Sequence, residues 1–128
     1  MSKFALEKHI SEKEEGVLYP VYKLVINDKC SFDNLCVYCK KNNLNAELNS
    51  INTRLLYIAS GMRLPENKFK QLGRKKTDKI PDFEIKTKHI RVYMFRDQNN
   101  HIIAHWSTKK TQSKELNKFR IIKKSYFL

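Results

Sequence analysis

The chain has 128 residues, enough for one hydrophobic core but too few for two, so we expect a single domain over residues 1–128. Within it, residues 1–16 are interpreted as an N-terminal extension. Apolar residues make up 41% of the chain, as in ordinary globular proteins, and no apolar run is long enough to span a membrane. The first residues lack the apolar core of a secretory signal, so we expect a cytoplasmic protein with no membrane partner.

The net charge of +13 is distributed unevenly along the chain. Residues 1–60 hold eight Lys or Arg and seven Asp or Glu, whereas residues 61–128 hold eighteen and six. A basic half of this kind favours a polyanionic partner such as nucleic acid, or an acidic protein. A requirement for solubility alone does not predict the asymmetry.

The N-terminal region contains a predicted helix followed by a predicted strand. Residues 3–14 are highly charged and are predicted to form a short helix that ends near Gly16. Residues 17–26 are rich in β-branched and aromatic side chains, which is typical of a strand. Pro20 restricts this strand to an edge position, or to pairing that begins after the proline.

Two helices are predicted next, over residues 32–41 and 44–58. In the second, Leu44 and the apolar residues after it recur every three or four positions, and Gly61 follows as a stop. We expect the two helices, joined by Asn42-Asn43, to form a hairpin that covers one face of a sheet. The basic connection over residues 62–80 contains a predicted short strand or turn around residues 69–72.

Three cysteines lie close together, and Cys36-Val37-Tyr38-Cys39 has the C-x-x-C form of zinc and redox sites. A structural zinc site needs four ligands, and no second pair of Cys or His follows at suitable spacing. The motif also falls inside a predicted helix rather than at the start of one. We therefore interpret Cys30, Cys36 and Cys39 as buried thiols of a reducing compartment, and expect no metal and no cofactor.

A change of phase marks the boundary between two later strands. Phe83 and Ile85 are apolar at odd positions, whereas Ile90, Val92 and Met94 are apolar at even positions. A single strand cannot switch faces in this way, because its side chains alternate with period two. A turn at residues 87–89 therefore separates two strands. The opposite face, predicted to be open, then carries Glu84, Lys86, Arg91, Tyr93 and Phe95.

The remaining elements complete the predicted fold. Residues 97–100 have the composition of a hairpin loop, residues 102–107 form the next strand, and a helix begins at Ser113. The fold class is therefore α+β. We expect a small antiparallel sheet that is covered on one face by the helical hairpin and is followed by a C-terminal helix.

Four short segments in this region resemble, in order, the C-terminal signature of RelE/HigB-type toxins, particularly the phage-derived HigB-like branch. These segments are Phe83-Glu84-Ile85-Lys86, Ile90-Arg91-Val92-Tyr93, Ile102-Ile103-Ala104-His105 and Lys109-Lys110. The chain departs from the family pattern at Ile85, where the family usually has Leu, and at Lys86, where it usually has Arg. It also carries extra residues at the N-terminus and in the 62–80 connection.

The resemblance implies a RelE-like fold and the function of an mRNA interferase. Such an enzyme is the toxin of a type II toxin–antitoxin system and cleaves translated mRNA on the ribosome. It uses the 2′-hydroxyl of the RNA as nucleophile and needs no metal. The implied partners are mRNA, the ribosome and a cognate antitoxin protein with an acidic or amphipathic segment.

This chemistry requires charge stabilisation at phosphorus, a base for the 2′-hydroxyl and an acid for the leaving 5′-oxygen. Arg91 is the candidate phosphate clamp, because a guanidinium binds two oxygens at once. Lys86 adds positive charge beside it. The candidates for proton transfer are His105, Tyr93, Glu84 and Tyr126. The candidates for RNA binding are Lys109, Lys110, Arg96, Lys88, Phe95, Arg74, Lys75 and Lys76.

Each candidate also has a structural interpretation. Arg91 can pair with Glu84 across the sheet, and His105 can be a hydrogen-bonded structural histidine. Tyr93 and Phe95 can stack on bases or pack under the last helix. Tyr126 can simply anchor that helix, and Lys109-Lys110 can favour the turn into it.

Two other functions compete with the interferase. Pro81-Asp82 followed by Glu84-Ile85-Lys86 superficially resembles the PD…ExK site of metal-dependent nucleases, but only one residue separates the two acids, which places them on one strand. The second alternative is a non-catalytic basic module that binds RNA or the ribosome without cutting, since the cations explain binding equally well.

Overall fold

The computed structural model describes residues 3–73 and 77–128. Its strands are β1 (Phe4–Ile10), β2 (Val21–Ile26), β3 (Lys29–Cys30), β4 (Phe69–Gln71), β5 (Asp82–Lys86), β6 (Ile90–Asp97) and β7 (Asn100–Thr108). Its helices are α1 (Ser31–Lys41), α2 (Asn45–Ala59) and α3 (Gln112–Tyr126), and a 3-10 turn at Lys109–Thr111 precedes α3. Within the described ranges, none of these helices has the length and apolarity needed to cross a bilayer.

The strands form one mixed sheet in the order β1-β2-β7-β6-β5-β4, with β3 paired to β2. The α+β class is confirmed, but the prediction of a wholly antiparallel sheet is wrong at one position. β2 and β7 run parallel, with Val21 opposite His101. Helices α1 and α2 and several strands separate β2 from β7 along the chain. The two strands are therefore far apart in the sequence. A local sequence pattern does not show whether two such strands pair parallel or antiparallel.

The N-terminal segment is a strand rather than the predicted helix. β1 pairs antiparallel with β2 from Phe4 opposite Ile26 to Ile10 opposite Val21. The residues interpreted as an extension thus supply an edge strand of the sheet. The charged residues of this segment are compatible with a helix, which is why a helix was predicted. In the folded protein, however, the backbone of β1 finds its hydrogen-bond partners on β2, and this pairing outweighs the local propensity.

Most local predictions in the middle of the chain are confirmed. β5 ends at Lys86 and β6 begins at Ile90, so the phase change does mark a turn. β2 begins directly after Pro20, and Gln98 turns the β6–β7 hairpin with a positive φ of 56°. The short strand predicted near residue 69 is present as β4, and α1, α2 and α3 begin within one or two residues of the predicted positions.

One face of the sheet packs against α1 and α2. The apolar stripe of α2 lies in the same core cluster as the even-numbered apolar residues of β6, as the alternation predicts. The buried members contributed by α1, α2 and β6 are Phe32, Leu35, Cys39, Leu48, Ile51, Leu55, Ile58, Ala59, Ile90, Val92 and Met94.

The other face, predicted to be open, is covered by α3. The rings of Phe119 and Tyr93 stack with centroids 5.5 Å apart, and Tyr126 packs on Phe95 at 4.9 Å. Tyr93, Phe95 and Phe119 have no exposed surface. Burying each large apolar side chain contributes roughly 1.5–3 kcal/mol to the stability of the fold. The apolar stripe on α3 therefore packs against the aromatic face of the sheet. The protein therefore has three layers, with the sheet in the middle.

Candidate nucleic-acid interface

The four segments that carry the toxin resemblance lie on three neighbouring strands, β5, β6 and β7, or directly after them, and one end of this part of the sheet is formed by Lys86, Ile90 and Lys109-Lys110. β6 is the central strand of the three, with β5 on one side and β7 on the other. Tyr93 lies opposite Glu84 on β5 and opposite His105 on β7. Arg91 lies opposite Lys86 at the end of β5. Residues that are distant in sequence are thus direct neighbours on the α3 side of the sheet.

Four exposed cations surround this end, and we call them the basic end: Lys86, Lys88, Lys109 and Lys110. They come from two separate segments, the β5–β6 turn and the 3-10 turn after β7. The backbone N–H of Lys109 donates to the carbonyl of His89 at 2.9 Å, which joins the two turns. Exposed ammonium groups held close together in this way favour a phosphodiester chain.

Arg91 lies beneath the basic end and is only 2% exposed. Its Nη1 donates to the carbonyls of Thr87 and Ile90 at 2.5 and 2.9 Å. Its Nε lies 3.6 Å from Oε1 of the buried Glu84, so the interpretation that Arg91 pairs with Glu84 is confirmed. In this conformation the guanidinium braces the β5–β6 turn and is not accessible to a phosphate.

Tyr93 and Glu84 belong to a polar layer between the sheet and α3. The hydroxyl of Tyr93 shares a 2.8 Å hydrogen bond with Ser107, and burial raises the pKa of the tyrosine. Gln112, at the start of α3, donates to Oε2 of Glu84 at 3.5 Å. Both candidate proton-transfer groups are therefore shielded from solvent.

Of the three candidates for proton transfer in this part of the sheet, His105 is the one that remains partly exposed to solvent. Its Nε2 lies 2.8 Å from Oε2 of Glu115 in the first turn of α3, and the two side chains are 19% and 20% exposed. The hydrogen bond from His105 is the main cause that lowers the pKa of Glu115, so this carboxylate stays ionised. An imidazole oriented by a carboxylate can accept and donate a proton at neutral pH.

Tyr126 lies far from the other candidates. Its hydroxyl donates to Oδ2 of Asp97 at 3.0 Å, at the opposite end of β6 from Arg91. Six residues along a strand span about 20 Å. Burial, and then the hydrogen bond to Asp97, raise the pKa of Tyr126 to about 12. These contacts fit the interpretation that Tyr126 anchors α3.

The structure separates two predicted RNA-binding residues from the basic end. Phe95 is fully buried against α3 and has no free ring face for a base. Arg96 lies over the rings of Tyr19 and Phe83, 6.0 and 5.4 Å from their centroids, near the β6–β7 hairpin. The predictions for Arg74, Lys75 and Lys76 fall outside the described residues.

Two acidic residues at the site were absent from the sequence predictions. Glu115 reaches His105 because only three residues separate β7 from α3, and that short connection was a usable signal. Glu47, in the first turn of α2, accepts hydrogen bonds from Thr87 Oγ1 and from the backbone N–H of His89 at 2.5 and 2.8 Å. No local signal predicts this contact, because it depends on how α2 packs against the sheet.

The geometry gives little support to a PD…ExK site. Asp82 and Glu84 do lie on one strand, β5. Nζ of Lys123 lies 2.9 Å from Oδ2 of Asp82, and Arg91 neighbours Glu84. Each carboxylate is therefore already paired with a buried cation.

The cysteines are free thiols; Cys30 and Cys39 are buried as predicted, whereas Cys36 is half-buried. Cys36 and Cys39 lie within α1, and burial raises the pKa of both. Among the described residues, the one group with metal-ligand spacing is Glu7, Cys30 and Asp33. The ammonium of Lys23 lies 3.0 Å from Asp33 and 3.6 Å from Glu7, so a cation from the chain itself already occupies this position.

Comparison with known proteins identifies no relative. No protein-family model, no curated protein and no solved structure matches the chain. Any functional conclusion therefore depends on the residues and their geometry.

Proposed function

We propose that this chain is the toxin of a type II toxin–antitoxin system, a metal-independent endoribonuclease that binds mRNA at its basic end and acts on the ribosome. The observation that carries the proposal is the convergence of the RelE/HigB-like segments. β5, β6 and β7 set Lys86 beside Arg91, and Tyr93 beside His105. The chain then leads directly into Lys109-Lys110.

RNA binding is the first step, and the exposed cations supply it. Residues 61–128 carry eighteen Lys or Arg against six acids, and the basic end lies within this half of the chain. Each ammonium that contacts a phosphate releases condensed counterions, so affinity falls steeply with salt.

The cleavage step uses the RNA as its own nucleophile. The 2′-oxygen attacks the adjacent phosphorus and loses its proton to a base, while the bond from phosphorus to the 5′-oxygen breaks. The products are a 2′,3′-cyclic phosphate and a 5′-hydroxyl, which forms when the leaving 5′-oxygen takes up a proton. The protein has to transfer protons and stabilise the charge on the phosphoryl oxygens.

We assign proton transfer to His105, with Glu115 as the residue that positions its ring. The 2.8 Å hydrogen bond fixes the imidazole, and its partial exposure admits a substrate. Lys86, Lys109 and Lys110 stabilise the charge at the phosphate. Arg91 acts indirectly, since its Nη1 holds the carbonyl of Thr87 in the turn that carries Lys88.

A second function, binding RNA or the ribosome without cleavage, is favoured by one specific observation. Glu84, Arg91 and Tyr93, three of the six residues proposed for chemistry, have at most 2% of their surface exposed. Groups without access to substrate cannot transfer a proton to it in this conformation. A binder needs only the exposed cations.

In either function the basic end suits an acidic partner. A cognate antitoxin with an acidic or amphipathic segment would lie over Lys86, Lys88, Lys109 and Lys110 and exclude RNA. Complementary charge would also speed association, and the complex would weaken as salt is raised.

Cleavage in a reconstituted translation reaction tests the proposal. We expect the wild-type chain to cut translated message, and His105→Ala to lose most of this activity while retaining ribosome binding. His9→Ala is the matched control, because His9 is bonded to Asn52 on α2, away from the basic end. Intact message in the presence of bound wild-type protein would establish the binding function instead. Absence of both binding and cleavage would refute both.

A further inference from the structure

Glu47 is an acidic side chain placed against the most basic part of the protein. Both of its oxygens contact the β5–β6 turn at residues 87–89. Oε1 accepts from Thr87 Oγ1 and from the N–H of His89, and Oε2 lies 2.7 Å from Nδ1 of His89. One carboxylate on the α1–α2 layer thus takes three hydrogen bonds from a turn of three residues.

The turn that Glu47 contacts is also the junction of the proposed RNA-binding surface. Lys86 precedes it and Lys88 lies within it. Its Thr87 carbonyl accepts from Arg91, and its His89 carbonyl accepts from the N–H of Lys109. The conformation of these three residues therefore sets the relative positions of cations from two different segments.

A negative charge at this position has an electrostatic cost for RNA binding. Coulomb's law makes a carboxylate within the basic end repel phosphate, so charge alone predicts that its removal strengthens binding. Its hydrogen bonds act in the opposite direction. They hold an exposed turn in one conformation and so reduce the entropy lost when RNA binds. Removing the carboxylate should therefore raise RNA affinity if its charge dominates and lower it if its hydrogen bonds dominate, so an experiment can separate the two effects.

We propose that Glu47 is a positioning residue, which holds the 87–89 turn in the conformation that presents Lys86, Lys88 and Lys109 together to a single RNA strand. This inference rests on the proposed RNA-binding function. The hydrogen bonds to Thr87 and to the His89 backbone need only an oxygen acceptor, so an amide at position 47 retains them. The contact with the imidazole of His89 is the one that depends on charge.

The test compares Glu47→Ala with Glu15→Ala for binding to a short single-stranded RNA, followed by fluorescence anisotropy. Both variants raise the net charge by one, but Glu15 is exposed and lies in the loop before β2. We expect Glu15→Ala to bind as tightly as the wild type or slightly more tightly. Glu47→Ala should bind about fivefold more weakly, although it is more basic. Glu47→Gln should stay within about twofold of the wild type, because its amide oxygen keeps the acceptor.

The salt dependence of the same binding reports how many phosphates the protein neutralises. For a single strand the slope of log K against log salt changes by about 0.7 for each phosphate that is no longer neutralised. We expect a shallower slope for Glu47→Ala and an unchanged slope for Glu15→Ala. Equal or tighter binding by Glu47→Ala with an unchanged slope would overturn the proposal.

Amide hydrogen exchange without RNA separates this inference from the proposed function. Glu47→Ala should speed exchange at residues 86–91 and 109 relative to Glu15→Ala, with exchange in α3 unchanged. If the wild type fails to bind RNA, the proposed function fails, and the exchange comparison still decides whether Glu47 holds the turn. If Glu47→Ala does not fold, Thr87→Val removes one of the same hydrogen bonds and should weaken RNA binding in the same direction.

Discussion

The imidazole of His105 and the carboxylate of Glu115 form a 2.8 Å hydrogen bond that connects β7 to the first turn of α3. Both side chains are about one-fifth exposed, whereas their neighbour Tyr93 is fully buried. The pair is therefore the place where the polar layer beneath α3 meets solvent. Glu115 follows Lys109-Lys110 by a few residues in the chain, and the pair gives the cleavage hypothesis its candidate proton-transfer group.

Replacing Glu115 with Gln should slow RNA cleavage about tenfold, because the imidazole loses its orienting carboxylate. RNA affinity should stay the same or rise slightly, because the exposed cations remain and one negative charge is lost. Single-turnover cleavage rates and binding constants, measured on the same RNA, check this. Glu66→Gln is the control for loss of one acid, since Glu66 is exposed in the loop before β4. An equal loss of rate in both variants would contradict a positioning role for Glu115.

Replacing Arg91 with Ala should destabilise the protein by about 3–5 kcal/mol, because Glu84 would be left as a buried charge without its partner. Urea denaturation measures this loss. In the double variant Arg91→Met with Glu84→Gln, we expect most of the stability to return, since no buried charge is left unpaired. If RNA affinity also returns in that double variant, Arg91 serves the fold. If affinity stays low while stability recovers, the guanidinium serves RNA binding itself, through its hold on the Thr87 carbonyl in the turn that carries Lys88.

Replacing Phe119 with Ala should lower the free energy of unfolding by about 3–5 kcal/mol, as expected for a large side chain removed from a packed core. Phe119 has no exposed surface and lies against the rings of Tyr93 and Phe95. Ile121→Ala, on the same helix, is the control, because Ile121 is 66% exposed and should change stability by less than about 0.5 kcal/mol. Similar effects at both positions would show that α3 does not pack as described.

Acid should weaken the fold through His101. Burial, reinforced by the charge of Arg96, lowers the pKa of His101 to about 4. A lowered pKa means that the folded state prefers the neutral imidazole. Its stabilising contribution is complete above the ordinary value of 6.5 and is lost as pH falls from there through about 4. Denaturant titrations of the wild type between pH 7 and 4 should show this decline.

The matched variant for that titration is His101→Gln, in which the decline between pH 6.5 and 4 should be smaller by about 3 kcal/mol. Burial also lowers the pKa of His9, and the variant His9→Gln measures the contribution of His9 to the same pH dependence. If His101→Gln shows the same pH dependence as the wild type, the imidazole is not buried in the neutral form.

The elements that the sequence predicted correctly are those with a local signal. The apolar stripe of α2, the change of phase at residues 87–89 and the hairpin at residues 97–100 each depend on neighbours within about one turn or one strand. The same alternation assigned Val92 and Met94 to the α1–α2 side of the sheet, and the structure places them there. β1 was predicted wrongly because its conformation depends on hydrogen bonds to β2 rather than on its own residues.

For the candidate site, the sequence determined that Glu84, Arg91 and Tyr93 share one face of the sheet, since period two suffices to place them. His105 joins this face through a shift of register in the β6–β7 pairing, in which Met94 lies opposite Ile103 but Tyr93 lies opposite His105. Only the tertiary structure decided that α3 closes over them and that β2 runs parallel to β7. It also decided that Glu47 reaches the β5–β6 turn from another layer. The physical reason is that the burial of a side chain and the pairing of a strand depend on contacts between distant segments. The periodicity within one segment does not show which other segment it will contact.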